Sequence, residues 1–424
     1  MDWLTQRGAT LLLVTTLSFL LILASPGKTV QAGDWPQILG PHRTGVAEGE
    51  TLLDALPQTG LKTVWERPVG SGYAGVAVQG STVVLYHRVD DDEVVEALDA
   101  ETGKVRWKVK FPTQYQSGVG DNSGPRCVPI IHSGVIYLCG PQGTLHALSL
   151  KDGQTLWTRA AFQEYNAPEG YFGAGSTPLV EGDKLLVNVG GRNGAGIVAL
   201  SLKTGKTVWK STDEAASYSS PVAVTRKNLR HVIFVTRLSA LSIDPENGQV
   251  RWKFRFGQTG PTVNAASPVV TDDRLFVTAS YGVGAELVKF DADSAEKIWA
   301  NDESLSSQFT TPVLKDGMLY GIDGRQDVGR ASLRCVELMT GKVRWSVEGF
   351  GKAELILAGN RLLIQKTDGT VLAGDADPAA WKERWTANVL SSTAIPLPAL
   401  SNGRMFVRDE NTLKCVEVGK RTAK

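Results

Sequence analysis

The sequence predicts an all-β protein, an eight-bladed β-propeller of four-stranded antiparallel blades whose ring closes between N- and C-terminal strands. Three observations carry this expectation. First, a Trp recurs eight times, at Trp65, Trp107, Trp157, Trp209, Trp252, Trp299, Trp345 and Trp385. The spacings run from 40 residues (Trp345 to Trp385) to 52 (Trp157 to Trp209), the length of one four-stranded blade. Second, each period breaks into short runs of Val, Ile, Leu and Tyr between Gly, Asn and Asp turns, a strand pattern rather than a helical one. Third, the first Trp lacks upstream strands of its own and the last period lacks a Trp, so each supplies what the other needs.

The N-terminus comes first in the chain. Arg7 precedes an apolar run, Ala9 to Ala24, and Val30-Gln31-Ala32 gives a small-x-small pattern before Gly33. The run is shorter than the roughly 20 residues of a membrane span, so residues 1–32 read as a signal peptide; an uncleaved anchor is the alternative. The first Cys is Cys127, which leaves no lipid-anchor Cys beside the apolar run. With no second apolar span, the expected protein is exported to the periplasm or beyond, has no transmembrane span once the signal is removed, and is a monomer. Residues 33–60 form a lead-in segment, and residues 61–424 form the propeller.

Within each period the expected order is strands A to D. Strand A opens at Pro129, Pro178, Pro221, Pro268, Pro312 and Pro398, with Val76 and Leu355 in the same slot of the other two periods. Proline is tolerated at a strand start or on an edge strand, and the innermost strand has an edge facing the channel. Small residues before these prolines (Ser176, Ser220, Ser267, Thr311) suit strands converging on an axis. Strand C carries the Ala-Leu phrase, and strand D ends on the Trp. The turn between them carries Gly103, Gly153, Gly205, Gly248 or Gly341, because it needs a positive φ. Two copies are degraded: Ala295 replaces the Gly before Trp299, and Pro378 interrupts the copy ending at Trp385. The Trp is expected to pack between neighbouring blades. Ring closure is expected between the strand at Trp65 and the strands in 395–418.

Composition narrows the function. There are 45 basic and 44 acidic residues, for a net charge of +1, and no basic stripe points to nucleic acid. The five His are scattered, and no Cys-x-x-Cys or His-Glu-x-x-His pattern suggests a metal site. Cys335 and Cys415 replace Ala in strand C and read as buried fillers. Cys127 and Cys139 flank one hairpin, on strands A and B. A three-residue loop would oppose them for a disulfide; a two-residue turn at Ser133-Gly134 would instead put Cys139 opposite Val128. Asp90-Asp91-Asp92-Glu93 reads as a solvated hairpin tip rather than a Ca²⁺ loop.

Two D–A loops are long enough to bind something. One, 111–124, carries Gln114, Tyr115, Asp121 and Asn122. The other, 160–175, carries Tyr165, Asn166, Glu169, Tyr171 and Phe172. Aromatics beside amides and carboxylates suit a sugar, a quinone or a peptide. The bland reading is that the loops pack on themselves over the channel mouth.

The phrase Ala97-Leu98-Asp99-Ala100-Glu101-Thr102-Gly103-Lys104-Val105-Arg106-Trp107 resembles the PQQ-like repeat. Eight-bladed propellers of this family include quinoprotein alcohol dehydrogenases and the outer-membrane assembly factor BamB. The likeness covers residues 61–418, and Asp34-Trp35-Pro36-Gln37-Ile38-Leu39-Gly40-Pro41 resembles the lead-in of secreted bacterial members. The resemblance implies one of three roles: a non-catalytic scaffold for envelope proteins or polymers, a PQQ-dependent dehydrogenase with calcium, or a non-catalytic sugar or small-ligand binder. The dehydrogenases of this type carry a Ca²⁺ site, and many carry a disulfide between adjacent Cys. This chain has no adjacent Cys pair, so the expectation is a scaffold with no catalytic residue, metal or cofactor.

Overall fold

A computed structural model describes residues 33–120, 122–168, 170–260 and 262–421. The expected signal peptide lies outside the described residues. Thirty-two strands form eight four-stranded antiparallel sheets. The first blade is Ala77–Gln79, Thr82–Val89, Asp92–Asp99 and Val105–Pro112, paired in that order. The next six blades repeat the pattern. The eighth is composite: Ala399–Ser401, Arg404–Arg408 and Thr412–Glu417 are completed by Thr63–Pro68, with Trp65 opposite Cys415. The expected closure is therefore present, and it leaves the ring without an open blade. No helix among the described residues is long and apolar enough to cross a membrane.

Alternation within each strand sends successive side chains into the two interfaces a blade shares with its neighbours. In the third-to-fourth interface, Leu186, Ile197 and Ala199 meet Val232, Phe234 and Leu241. At the closure, Val83, Leu85 and Leu98 of the first blade pack on Met405, Phe406 and Val416 of the last. Cys335 and Cys415 are fully buried in this core.

The repeat Trp does two things at once. Its ring covers the C–D turn of the following blade, and its Nε1 donates to a carbonyl of that turn. Trp65 donates to Ala100 O (2.9 Å), Trp107 to Leu150 O (3.0 Å), Trp157 to Leu202 O (2.8 Å) and Trp209 to Pro245 O (3.0 Å). The turn Gly is needed for this contact as well as for its backbone. At Gly205, φ is +67° and a Cβ would lie 2.8 Å from the Trp157 ring. Of the two degraded copies, the turn with Pro378 keeps the bond, since Trp345 Nε1 donates to Asp377 O (2.8 Å), and the other loses it. Trp252 faces the blade whose turn, 291–294, lacks the Gly, and its buried Nε1 has no hydrogen-bond partner among the described residues. Trp385 faces the composite blade, which has no C–D turn, and it donates instead to Leu53 O of the lead-in (2.9 Å).

This difference is testable. Trp209→Phe removes a buried hydrogen bond and leaves Pro245 O unpaired; Trp252→Phe removes none. Trp209→Phe should cost about 1 kcal/mol more in urea unfolding, since both rings are buried. Equal costs would contradict the docking role of Nε1.

The lead-in crosses the ring at the end where the A–B turns lie. Trp35 bridges to Val78 in the first blade, and Ile131 N of the second donates to Pro36 O (2.8 Å). The Arg43 guanidinium donates to carbonyls of Thr177, Pro178 and Pro221 in the third and fourth blades. Burial lowers its pKa to about 9. Leu357 of the seventh blade exchanges backbone bonds with Gly45 and Ala47 (2.8 Å each). The Glu50 carboxylate accepts from Asn402 N (2.5 Å) and Gly403 N (2.7 Å) of the eighth. The segment thus ties blades together and closes one end of the channel.

One placement differs from the sequence reading. Cys127 lies in the loop before strand Ile130–His132, not on strand A. The hairpin takes the two-residue turn, with Ser133 at φ +51° and Gly134 at +78°. Both thiols are free and buried. Cys127 Sγ donates to Ser176 O (3.4 Å) and Cys139 Sγ to Gly140 O (3.7 Å), and the neighbouring Cys127 thiol together with burial raises Cys139 well above the usual thiol range.

Candidate functional site: a blind pit at the channel mouth

The residue three positions before each strand A slot projects toward the axis. In chain order these are Tyr73, Arg126, Gly175, Tyr218, Ala265, Phe309, Lys352 and Ile395, and all eight line one cavity of about 280 Å³. The residue just before the slot forms a deeper ring. Where these are Ser or Thr, they stitch neighbouring blades: Val128 N donates to Thr177 Oγ1 (3.1 Å), Thr177 N to Ser220 Oγ (2.9 Å) and Ser267 N to Thr311 Oγ1 (2.9 Å). The remaining periods place Gly75, Val128, Glu354 and Leu397 in this slot, and of these only Glu354, in the seventh blade, is charged. Ile38 and Leu39 of the lead-in line the same cavity and pack against Val128 and Leu397. The cavity is therefore a pit, with a mouth among the D–A loops and a floor made by the N-terminal segment.

Its walls are aromatic and its charge is mainly positive. Arg126 sits over the Tyr73 ring (5.3 Å to the centroid) and the Phe172 ring (5.8 Å). It donates to Gly124 O (3.2 Å) and Asn122 O (3.1 Å), and no carboxylate pairs with it among the described residues. Phe172 meets Tyr218 edge-on at 5.7 Å, and Phe172 N donates to the Tyr218 hydroxyl (3.2 Å). Lys352 Nζ lies 4.7 Å from the centre of Phe309, and burial lowers its pKa. Glu354 is half-buried in the pit wall, and desolvation pushes its carboxyl up to about 8 against the opposing pull of Lys352. It forms neither a hydrogen bond nor an ion pair within 4.0 Å among the described residues. The pit thus sets two basic side chains beside a carboxyl that holds its proton more tightly than usual.

The residues expected from loop length divide. Phe172 lines the pit. Tyr171 is 64% exposed at the rim and lines an adjoining cavity of about 240 Å³. Asn122 holds Arg126 through its carbonyl. Tyr115 is buried, with its carbonyl bonded to Arg88, so it packs the loop rather than meeting a ligand. The Tyr165 hydroxyl is tied to Thr207 Oγ1 (2.6 Å) on strand D of the third blade, and Arg159 on strand D of the second reaches it too. Gln114 and Asn166 are exposed, with Asn166 at φ +51°. Asp121 and Glu169 lie outside the described residues. In the acidic run, Asp91 pairs with Arg88 and Asp92 with Lys110, while Glu93 is buried against the Tyr86 hydroxyl. Sequence reasoning missed Tyr73, Arg126, Tyr218, Phe309, Lys352 and Glu354. For all but Glu354 the available signal was a constant offset of three residues before the strand A slot; Glu354 stands one residue before it.

The fold and pit can now be set beside known proteins. A family model described as outer membrane protein assembly factor BamB matches residues 49–164 and 91–347. The outer membrane protein assembly factor BamB of Yersinia pestis is 24% identical over 373 residues, covering 80% of this chain and 85% of that protein. Among solved structures, BamB from Moraxella catarrhalis has a TM-score of 0.60 at 16% identity, covering 84% of this chain and 99% of that one. A europium-containing methanol dehydrogenase has a TM-score of 0.68 at 13% identity, covering 89% of each chain. At such identities the structural likenesses speak for the fold alone.

Proposed function

The chain belongs to the family of outer membrane protein assembly factor BamB, and from that premise we propose that it is an exported, non-catalytic binding propeller. In this reading it holds envelope proteins or polymers at its mouth face, acts as a monomer, and has lost residues 1–32 as a signal peptide. The observation that carries the reading is the blind pit with an exposed apolar rim. Around it stand Tyr171 (64% exposed), Val328 (57%) and Val119 (48%), on D–A and B–C loops. Exposed apolar groups beside a concave site mark a place where a partner docks.

The dehydrogenase reading needs PQQ and Ca²⁺, and the donor set argues against the pair. Ca²⁺ takes six to eight oxygen ligands at roughly 2.3–2.6 Å. Among the described residues, no three His, Cys, Asp or Glu side chains converge to hold a metal ion. Glu354 stands in the pit with Lys352 rather than with other carboxylates. The test is to titrate the purified protein with PQQ plus Ca²⁺ and to assay alcohols and aldoses with an artificial electron acceptor. The expected result is no saturable binding at micromolar PQQ and no turnover. Tight binding with turnover that Glu354→Gln abolishes would overturn the proposal.

A further inference from the structure

We propose that the pit captures the free carboxyl terminus of a partner polypeptide whose last side chain is apolar or aromatic, an inference that rests on the reading of the mouth as a partner-binding face. The shape gives the first step. Because Ile38 and Leu39 close the floor, an extended chain cannot thread the ring, and the pit favours a chain end. A cavity of about 280 Å³ suits a terminal residue rather than a folded element.

Charge then chooses between the two ends. A terminal ammonium would meet Arg126 and Lys352, neither of which has a carboxylate partner within ion-pair distance among the described residues. A terminal carboxylate would give both basic groups a counter-ion within ion-pair distance, which neither has among the described residues. Glu354 completes the set. With its carboxyl pushed up to about 8, it is mostly protonated at pH 7 and donates a hydrogen bond to an incoming carboxylate. The walls select the side chain: Tyr73, Phe172, Tyr218 and Phe309 surround a space floored by aliphatic groups. Backbone and charge capture of a chain terminus is a known mode of peptide recognition. Glu354 supports the assignment from another direction. It stands where four repeats place a Ser or Thr (Thr177, Ser220, Ser267 and Thr311), and no other repeat carries a charge in that slot.

The experiment uses the mature full-length chain and three probes at pH 7. These are a short fluorescent peptide ending in Phe with a free carboxyl, the same peptide as its C-terminal amide, and 3-phenylpropanoate. The free-acid peptide should bind, and the amide should bind at least about tenfold more weakly, since hydrogen bonds to charged groups are each worth about 1.5–3 kcal/mol. Lys352→Gln should weaken the acid peptide about tenfold without moving the melting temperature much. Arg126→Gln should weaken it too, but Arg126 also holds its own loop, so Lys352 gives the cleaner result.

A pH series adds a readout that a structural role would not move. The ionisable groups sharing the pit with Glu354 are Lys352, Arg126, Tyr73 and Tyr218, and Asp327 acts on Lys352. Wild-type affinity should fall as pH rises through about 8, where Glu354 ionises and repels the carboxylate. Glu354→Gln should flatten that fall. Equal binding of acid and amide, or no binding of either, would overturn the inference. Binding of 3-phenylpropanoate as tight as the peptide would reassign the pit to a small free acid and overturn the polypeptide claim. Cross-linking at the rim to a partner with a blocked carboxyl terminus would sink the inference alone and leave the mouth-face reading standing.

Discussion

Removing residues 395–424 is expected to abolish cooperative folding. The deletion takes three of the four strands of the composite blade and strands Thr63–Pro68 with no partner. It also uncovers Val83, Leu85 and Leu98 of the first blade. Leu400, Met405, Phe406, Leu413, Cys415 and Val416 are all at most 2% exposed. At about 2 kcal/mol each, six such side chains represent roughly 12 kcal/mol, comparable with the roughly 5–15 kcal/mol stability of an entire domain. Arg408 goes as well; its guanidinium is buried and donates to Gly70 O (2.6 Å) at the start of the first blade. Purified truncated chain should aggregate on a sizing column and show no sigmoidal urea transition. A soluble truncation that unfolds cooperatively would mean that the ring does not depend on its closure.

The fold was legible because its determinants repeat. Trp, Gly and Pro recur at fixed offsets, and each has a local reason that eight copies make visible. Even the exceptions could be read in sequence: the missing Gly before Trp299 corresponds to the unpartnered Nε1 of Trp252 in the blade before it.

The site was less legible, for two physical reasons. Loop length drew attention to 111–124 and 160–175, yet much of that length is spent on the loops themselves. Tyr115 is buried beneath them and Asn122 only steadies Arg126. The pit is built instead from one position in each of eight periods, and a single copy of Tyr73 or Lys352 in a loop carries no visible pattern. Convergence on the axis is a property of the closed ring, absent from any one repeat. The lead-in plug was hidden for another reason. Arg43 binds carbonyl oxygens of Thr177, Pro178 and Pro221, and backbone acceptors leave no mark in sequence.

The two faces of the ring are chemically unlike, and that contrast is the core of the functional account. The mouth carries the pit, the exposed Tyr171 and the apolar tips Val119 and Val328. The opposite face carries the lead-in, whose Trp35, Leu39 and Leu52 are buried, and the C–D turns occupied by the repeat Trp residues. A partner that docks through apolar contact around a concave site has a reason to choose the mouth. The most direct measurement places a photo-crosslinking amino acid at Val119, Tyr171 or Val328, and at Met339 in a C–D turn as the opposite-face control, which is itself 46% exposed. Irradiation of intact cells should give one recurring envelope-protein adduct from all three mouth positions and none of it from Met339. The same adduct from Met339 as strongly as from Tyr171, or no adduct from any mouth position, would contradict the account.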